Sequence, residues 1–262
     1  MISVITLIFF ALGLIIGSFL NVVILRLNTE KSLGGRSACM SCQNKLHWYE
    51  LIPLFSFISL RGRCRTCSTR ISAQYPIVEL ITGLAFLVLF LKFQNIFFES
   101  TLAFAFTYAY YAVIFCLLIV IAVYDLKHKI IPDALSLVLG IIGFVGIFFF
   151  QDFIFYLHMP STVEIFAGLL IALPFALTWL LSRGAWMGLG DAKLAVGLGY
   201  VLGLGRAFSG IVVAFWSGAI IGVLLILISK KHKMRSEIPF APFLVLGMVI
   251  AFLFELHLFP IN

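Results

Sequence analysis

Two aspartates stand where long apolar runs of the sequence end. Asp191 closes a Gly-x-Gly-Asp motif that begins at Gly188, and Asp125 follows the apolar run 112–123. A carboxylate at membrane depth costs several kcal/mol and is usually functional. If two such groups share a low-dielectric pocket, the ionised one takes a proton from water while the protonated one donates to a carbonyl. The pair therefore predicts amide hydrolysis at a membrane.

Each aspartate also has a structural interpretation. Asp191 would suit the N-cap of the helix that follows, and Asp125 would suit an interfacial ion pair with Lys127 or Lys129. Two such carboxylates in one chain favour the catalytic interpretation over two independent structural ones. Asp133 competes with Asp125, but it follows a proline and is assigned to opening a helix.

The two glycines of the motif are predicted to support the site. Gly188 and Gly190 permit unwound backbone and close approach by another chain. A substrate segment held there in an extended conformation would present its peptide bond to the catalytic water.

Four cysteines have the spacing of a metal site. Cys39 and Cys42 form one Cys-x2-Cys pair, and Cys64 and Cys67 form a second, with 21 residues between the pairs. This spacing predicts a closed structural zinc site, which would fold a segment too small to stabilise itself. Two disulfides, disfavoured in a reducing compartment, and a redox pair are the alternatives.

The composition excludes a soluble globular domain. Charged residues make up 11% of the 262 residues, where roughly 25% is usual, and the mean hydropathy is +1.15. Eight of the 18 Lys and Arg residues fall between Arg26 and Arg70, and Lys230, Lys231, Lys233 and Arg235 add four more. This bias places both segments in the cytoplasm and explains the positive charge without nucleic-acid binding.

Hydropathy predicts about eight transmembrane helices in an all-α polytopic integral membrane protein with a small cytoplasmic zinc-binding insert. The predicted domains are the first helix (1–25), a four-cysteine insert (26–75) and a transmembrane aspartic peptidase domain (76–262). In the predicted topology both termini lie on the outer side of the membrane, and both aspartates lie near its cytoplasmic face. The predicted spans are about 3–25, 76–91, 102–124, 134–151, 165–182, 191–204, 207–228 and 241–258.

Two polar residues inside these spans require partners. Asn21 is expected to hydrogen-bond across helices within a Gly-Ser-Phe-Leu-Asn segment suited to close packing. Glu79 is expected to pair with Arg70 or Arg183, or else to bind a cationic group.

Further motifs accompany the aspartates and the two cysteine pairs along the chain. They are Gly17-Ser18-Phe19-Leu20-Asn21, Trp48-Tyr49-Glu50-x-Ile52-Pro53, Tyr75-Pro76-x-Val78-Glu79, Tyr124-Asp125, Ile131-Pro132-Asp133, Gly188-x-Gly190-Asp191-x-Lys193 and Ile238-Pro239-Phe240-Ala241-Pro242-Phe243. With these motifs, in order from about residue 13 to 247, the chain resembles the bacterial type IV prepilin peptidases, a Gly-x-Gly-Asp family of intramembrane aspartic proteases.

This resemblance implies a bifunctional enzyme of the bacterial inner membrane, with its insert and active site facing the cytoplasm. Such an enzyme removes the basic leader of type IV prepilins and type II secretion pseudopilins after a glycine. It then N-methylates the new amino terminus with S-adenosylmethionine. By the same resemblance Asp125 and Asp191 are the catalytic pair, and the four cysteines bind zinc.

Three other functions compete with this one. A peptidase without methyl transfer would share every motif named above. A transporter using carboxylates as relays would carry charges at several membrane depths, whereas these gather at one face. A scaffold whose insert binds a partner would tolerate asparagine at both 125 and 191.

Overall fold

The computed structural model describes residues 2–29, 32, 34–228 and 238–258. The basic cluster at 230–235 lies outside these residues, as does Glu237, which is expected to cap the span 241–258. The described chain is mainly helical; the insert contains only a 3-10 helix (Trp48–Leu51) and one short α-helix, and one small hairpin lies in the second half. The helices are α1 (Ile2–Arg26), α2 (Phe55–Ser59), α3 (Gln74–Glu99), α4 (Thr101–His128), α5 (Asp133–Gly146), α6 (Thr162–Ser182), α7 (Leu189–Leu202), α8 (Leu204–Ile228) and α9 (Ala241–Phe254).

Each predicted span corresponds to one helix, and the main differences lie at two connections. A loop is expected near 94–100, between the predicted spans 76–91 and 102–124, but this prediction is wrong, because α3 continues to Glu99 and only Ser100 separates it from α4. The fourth span is shorter than predicted, since α5 ends at Gly146 and a hairpin of strands β1 (Phe150–Gln151) and β2 (Ile154–Phe155) follows.

Five helices of the described chain are long and apolar enough to cross a membrane. They are Val4–Arg26 within α1, together with α3, α4, α6 and α8. The helices α5 and α9 are apolar but shorter, at 14 residues each. These lengths confirm a multi-pass membrane protein.

The chain divides into two compact units, residues 1–120 and 121–262. In the first unit α1 and α3 pack at very short range. The distance is so short that a methyl group added at Gly17 would lie 2.8 Å from the Cα of Glu79. Asn21 Nδ2 donates to the carbonyl of Tyr75 across this contact, at 3.1 Å, which confirms the expected interhelical hydrogen bond. An aromatic cluster of Phe9, Phe90, Phe104 and Tyr108 continues the core along α1, α3 and α4.

In the second unit α7 is the central helix. Nine of its 14 residues are buried, among them Asp191. Packing of α6 on α7 requires glycine, because a methyl group at Gly199 would lie 2.7 Å from the Cα of Gly168. Small residues of this kind let membrane helices approach closely enough for extensive dispersion contact. The packing fixes the start of α7, where the Gly-x-Gly-Asp motif lies.

Candidate active site

Asp191 is the third residue of α7, in the first turn of the helix. The N-cap is Gly188, with extended backbone angles of φ −74° and ψ 148°, so the N-cap role considered for Asp191 is wrong. The Asp191 N–H donates to the Gly188 carbonyl at 3.3 Å. The side chain is 8% exposed, and its carboxylate interacts with the backbone N–H of Gly188. A negative charge at this position is favoured by the helix dipole.

Asp125 lies within the last turn of α4, which ends at His128. Its side chain is 4% exposed, and Oδ2 accepts a hydrogen bond of 3.2 Å from the backbone N–H of Ala241, the first residue of α9. The C-terminal end of a helix disfavours a carboxylate, whereas the free N–H groups at a helix start favour one. The N–H at the start of α9 therefore compensates for the unfavourable position of the Asp125 carboxylate at the C-terminal end of α4.

The fold brings the two aspartates together although 66 positions separate them in the sequence. Both belong to the second unit, and the Asp125 carboxylate acts electrostatically on that of Asp191. Both are buried, so their repulsion is weakly screened by water. Like charges in such a site favour a state in which the pair holds one proton.

The two motif glycines have different environments. A methyl group at Gly190 would lie 3.0 Å from Cβ of Ile131, in the connection between α4 and α5. At Gly188 it would meet Oδ2 of Asp191 at 3.7 Å. Close approach by another chain segment is thus observed at Gly190, while Gly188 supplies the extended residue at which the helix begins.

Asp133 has the structural position predicted for it. It is the first residue of α5, after the N-cap Pro132, and its side chain is 74% exposed. Its Oδ1 lies 2.7 Å from Nζ of Lys193 in α7, two positions after Asp191. This ion pair was not predicted, because the two residues are 60 positions apart and neither lies in a charge pattern.

The four cysteines of the insert converge. One sulfur atom of each lies within 4.8 Å of all the others, and Cys39 Sγ is 3.8 Å from Cys67 Sγ. All four thiols are free. Four sulfur ligands at this separation match the tetrahedral donor set of structural zinc, so these residues fit the metal that the spacing predicts.

The insert repeats one backbone turn around each cysteine pair. The Cys39 N–H donates to the Asn44 carbonyl at 3.0 Å, and the Cys64 N–H donates to the Thr69 carbonyl at 2.9 Å. A residue with positive φ follows each pair, Gln43 at 59° and Ser68 at 57°. The repeat of 25 positions is visible in the sequence once the two pairs are aligned.

The hydrogen bonds of these turns favour thiolates. The side chain and then the backbone of Thr69 lower the pKa of Cys67 to about 6. The backbone N–H groups of Cys42 and Ser41 lower the pKa of Cys39. Metal binding requires deprotonated sulfur, so the turns favour the ligand form of these two residues.

Glu79 has partners other than the arginines expected. It is 7% exposed, and Oε2 accepts a hydrogen bond of 2.8 Å from the backbone N–H of Leu54 in the insert. The Ser18 side chain also hydrogen-bonds to it. Among the described residues of the first unit, its partners are uncharged, so the predicted pairing with Arg70 is wrong.

Two protein families match the chain. Residues 11–93 match the Bacterial Peptidase A24 N-terminal domain, and residues 112–227 match the Type IV leader peptidase family. No solved structure matches the chain.

Curated relatives carry the name Prepilin leader peptidase/N-methyltransferase. The chain is 35% identical to one from Myxococcus xanthus, over 87% of this chain and 65% of that protein. It is 32% identical to one from Xanthomonas campestris pv. campestris, over 92% of this chain and 88% of the relative. A relative from Bacillus subtilis is 32% identical over 94% of this chain and 93% of its own length.

Proposed function

The chain belongs to the type IV leader peptidase family, and from that membership we propose that it cleaves prepilin leaders and N-methylates the new amino terminus. The observation that carries the cleavage step is the pair of buried, electrostatically coupled carboxylates in the second unit. The similarity to proteins named for both activities supports the methylation step.

We assign catalysis to Asp125 and Asp191. The two carboxyl groups share one proton at the start of the reaction. The ionised one removes a proton from a water molecule, whose oxygen attacks the carbonyl carbon of the scissile bond. The protonated carboxyl group donates to the carbonyl oxygen. Collapse of the tetrahedral adduct breaks the C–N bond, and the nitrogen leaves with a proton from the site. The two protonation states belong to the pair and not to either residue.

Two features hold this pair for reaction. The Ala241 N–H holds Asp125 at 3.2 Å, and the first turn of α7 holds Asp191. Gly190 admits Ile131 against the first turn of α7, and Gly188 leaves the start of the helix free of a side chain beside the Asp191 carboxylate. An extended substrate segment would pass there, since peptide hydrolysis requires backbone that is not in a helix.

The substrates follow from the chemistry of the chain and the names of its relatives. Type IV prepilins and type II secretion pseudopilins present a basic leader and then an apolar helix. The helix would lie in the bacterial inner membrane with its glycine junction at the cytoplasmic face. The abundance of Lys and Arg between 26 and 70 supports that orientation for the insert.

Residues 26–75 would act as a zinc-held insert between the first helix and a peptidase domain of residues 76–262. Cys39, Cys42, Cys64 and Cys67 would hold the ion, which is structural because four thiolates leave no open position. S-adenosylmethionine, when bound, supplies the methyl group for transfer.

The first test uses a synthetic prepilin with a basic leader and a Gly-Phe junction, incubated with purified protein. Asp125→Asn and Asp191→Asn should each lower the cleavage rate by roughly 10²- to 10⁴-fold, because each removes one proton-transfer group. Asp133→Asn is the matched control. It breaks an exposed ion pair worth about 0.2–1 kcal/mol and should keep cleavage within about fivefold of wild type.

Mass spectrometry of the product reports both activities, since S-adenosylmethionine should add one methyl group to the new amino terminus. Both inactive variants should retain zinc. Loss of cleavage in Asp133→Asn with activity preserved in Asp125→Asn would show that Asp133 is the partner of Asp191. A wild-type protein that cleaves without methylating would be a peptidase only.

A further inference from the structure

A second group of polar side chains, two of them buried, lies in the first unit, where α1 crosses α3. It consists of Glu79 on α3 and Ser18 and Asn21 on α1. Asn21 is completely buried and Glu79 is 7% exposed. The close approach of the two helices is made by Gly17 against the backbone of Glu79, and Asn21 adds an interhelical hydrogen bond to it. The group plays no part in the cleavage mechanism proposed above.

The orientation of Asn21 is fixed by its amide nitrogen. Nδ2 donates to the carbonyl oxygens of Gly17, at 3.3 Å, and Tyr75, at 3.1 Å. Tyr75 lies one helical turn before Glu79 on α3, and Ser18, which hydrogen-bonds to Glu79, lies three positions before Asn21 on α1, so the amide and the carboxylate belong to neighbouring turns of the crossing. The Asn21 Oδ1 atom is buried and has no hydrogen-bond partner among the described residues. A buried carbonyl oxygen without a partner costs about 1–3 kcal/mol, which marks it as a site for a donor.

The insert reaches this group through a strained turn. Leu54 has φ 59° and ψ −49°, with a hydrogen bond of 2.6 Å from the Phe55 N–H to the Pro53 carbonyl. A non-glycine residue in this conformation is strained, and such strain is typical of functional sites. The turn directs the Leu54 N–H at Oε2 of Glu79. That bond occupies one carboxylate oxygen and holds the side chain in place.

The group therefore offers acceptors to a ligand that brings donors. A carboxylate and an amide carbonyl suit a primary ammonium group, which has three N–H donors and a positive charge. The proposed reaction produces one such group, the new amino terminus of the cleaved pilin. We propose that Glu79 and Asn21 form the site that binds this amino terminus for methylation. The inference rests on the proposed function.

In this site Glu79 binds the ammonium group and takes up one of its protons. The nitrogen lone pair then forms a bond to the methyl carbon of a sulfonium donor, whose carbon–sulfur bond breaks with its electron pair passing to sulfur. The methylated nitrogen carries the positive charge and remains paired with the acceptors. Asn21 Oδ1 accepts an N–H and so orients the lone pair.

The test measures binding without a methyl donor, using the purified full-length protein in detergent. Two fluorescent peptides with the mature pilin amino-terminal sequence are compared, one with a free amine and one acetylated. Wild-type protein should bind the free amine at least tenfold more tightly. Glu79→Gln should reduce that preference to less than twofold, since it removes the charge while keeping an oxygen for the Leu54 N–H.

Glu50→Gln is the matched control. It makes the same change in the same unit, at a side chain that accepts from the His47 N–H at 2.7 Å. It should keep the full preference for the free amine. Methylation of a peptide already cleaved should fall at least tenfold in Glu79→Gln, whereas cleavage of the intact prepilin and bound zinc should equal wild type.

Several outcomes overturn the inference. One is a wild-type protein that binds both peptides equally, and another is a Glu79→Gln variant that keeps the preference. If Glu79→Gln loses cleavage, zinc and peptide binding to the same extent, its role is structural, in docking the insert. In that case Asn21→Ser, which removes Oδ1, decides: the inference stands if this variant loses only the preference for the free amine, and it falls if the variant keeps that preference. Failure of the proposed function is separate, because it appears as wild-type protein that does not cleave the prepilin.

Discussion

The insert and the second unit hold their functional side chains by different physical means. Among the described residues from 28 to 73, Cys64 alone is buried, so the insert has almost no apolar core. In α7, by contrast, nine of 14 residues are buried around Asp191. The insert depends on its four thiols and repeated turns, whereas the carboxylate pair depends on close helix packing. The two regions should therefore fail under different perturbations.

The largest effect is expected in the insert. Cys39→Ser removes one of four ligands from a segment without a core, and structural zinc contributes about 10–16 kcal/mol of apparent binding free energy in small domains. We expect the variant to lose its zinc and most of its folded yield. Metal analysis and size-exclusion chromatography measure both.

Cys116→Ser is the control for this change. Cys116 is half-buried in α4, outside the cysteine cluster, so the variant should keep one zinc ion per chain. Asp191→Asn should also keep it. A Cys39→Ser protein that folds and binds zinc normally would contradict the assignment of the ion to the four thiols.

The next effect concerns the hydrogen bond that holds Asp125. Ala241→Pro removes the donor N–H at the first position of α9; it also adds a ring at a fully buried site and disfavours the αR backbone angles of Phe240, the preceding residue. A hydrogen bond to a charged group is worth about 1.5–3 kcal/mol, so cleavage should slow by roughly 10- to 150-fold. Initial rates with the synthetic prepilin measure this change.

Ala241→Ser keeps the N–H and should cleave at nearly the wild-type rate. Thermal unfolding separates positioning from instability, since the two cleavage rates are compared at a temperature where both variants are folded. Equal cleavage by the two variants would mean that the start of α9 does not position Asp125.

The sequence predicts those features that depend on residue type and misses those that depend on backbone. The helix positions follow from hydropathy, and the cysteine cluster follows from its spacing. The meeting of Asp125 with Asp191 follows from placing both at the same face. The bonds from Ala241 to Asp125 and from Leu54 to Glu79 were not predicted, because a backbone N–H has no residue signature.

The prediction of a loop between α3 and α4 fails for a related reason. Residues 94–99 include polar side chains typical of a loop, yet they continue α3. Helix ends depend on capping and tertiary contact as much as on composition, so hydropathy alone places them poorly.

The smallest effect tests the packing of the second unit. Gly199→Ala would place a methyl group 2.7 Å from the Cα of Gly168, backbone that cannot move without separating α6 from α7. Overpacking of this kind costs about 1–3 kcal/mol. Gly140→Ala is the matched control, since nothing lies within 4 Å of the added methyl group, and alanine is about 0.5–1 kcal/mol better than glycine within a helix. The midpoint temperature of thermal unfolding should therefore fall for Gly199→Ala in α7 and rise for Gly140→Ala in α5.

Zinc content should not change in either variant, because neither glycine belongs to the insert. A Gly199→Ala protein as stable as Gly140→Ala would mean that α6 and α7 adapt to the methyl group, and that their contact does not require glycine.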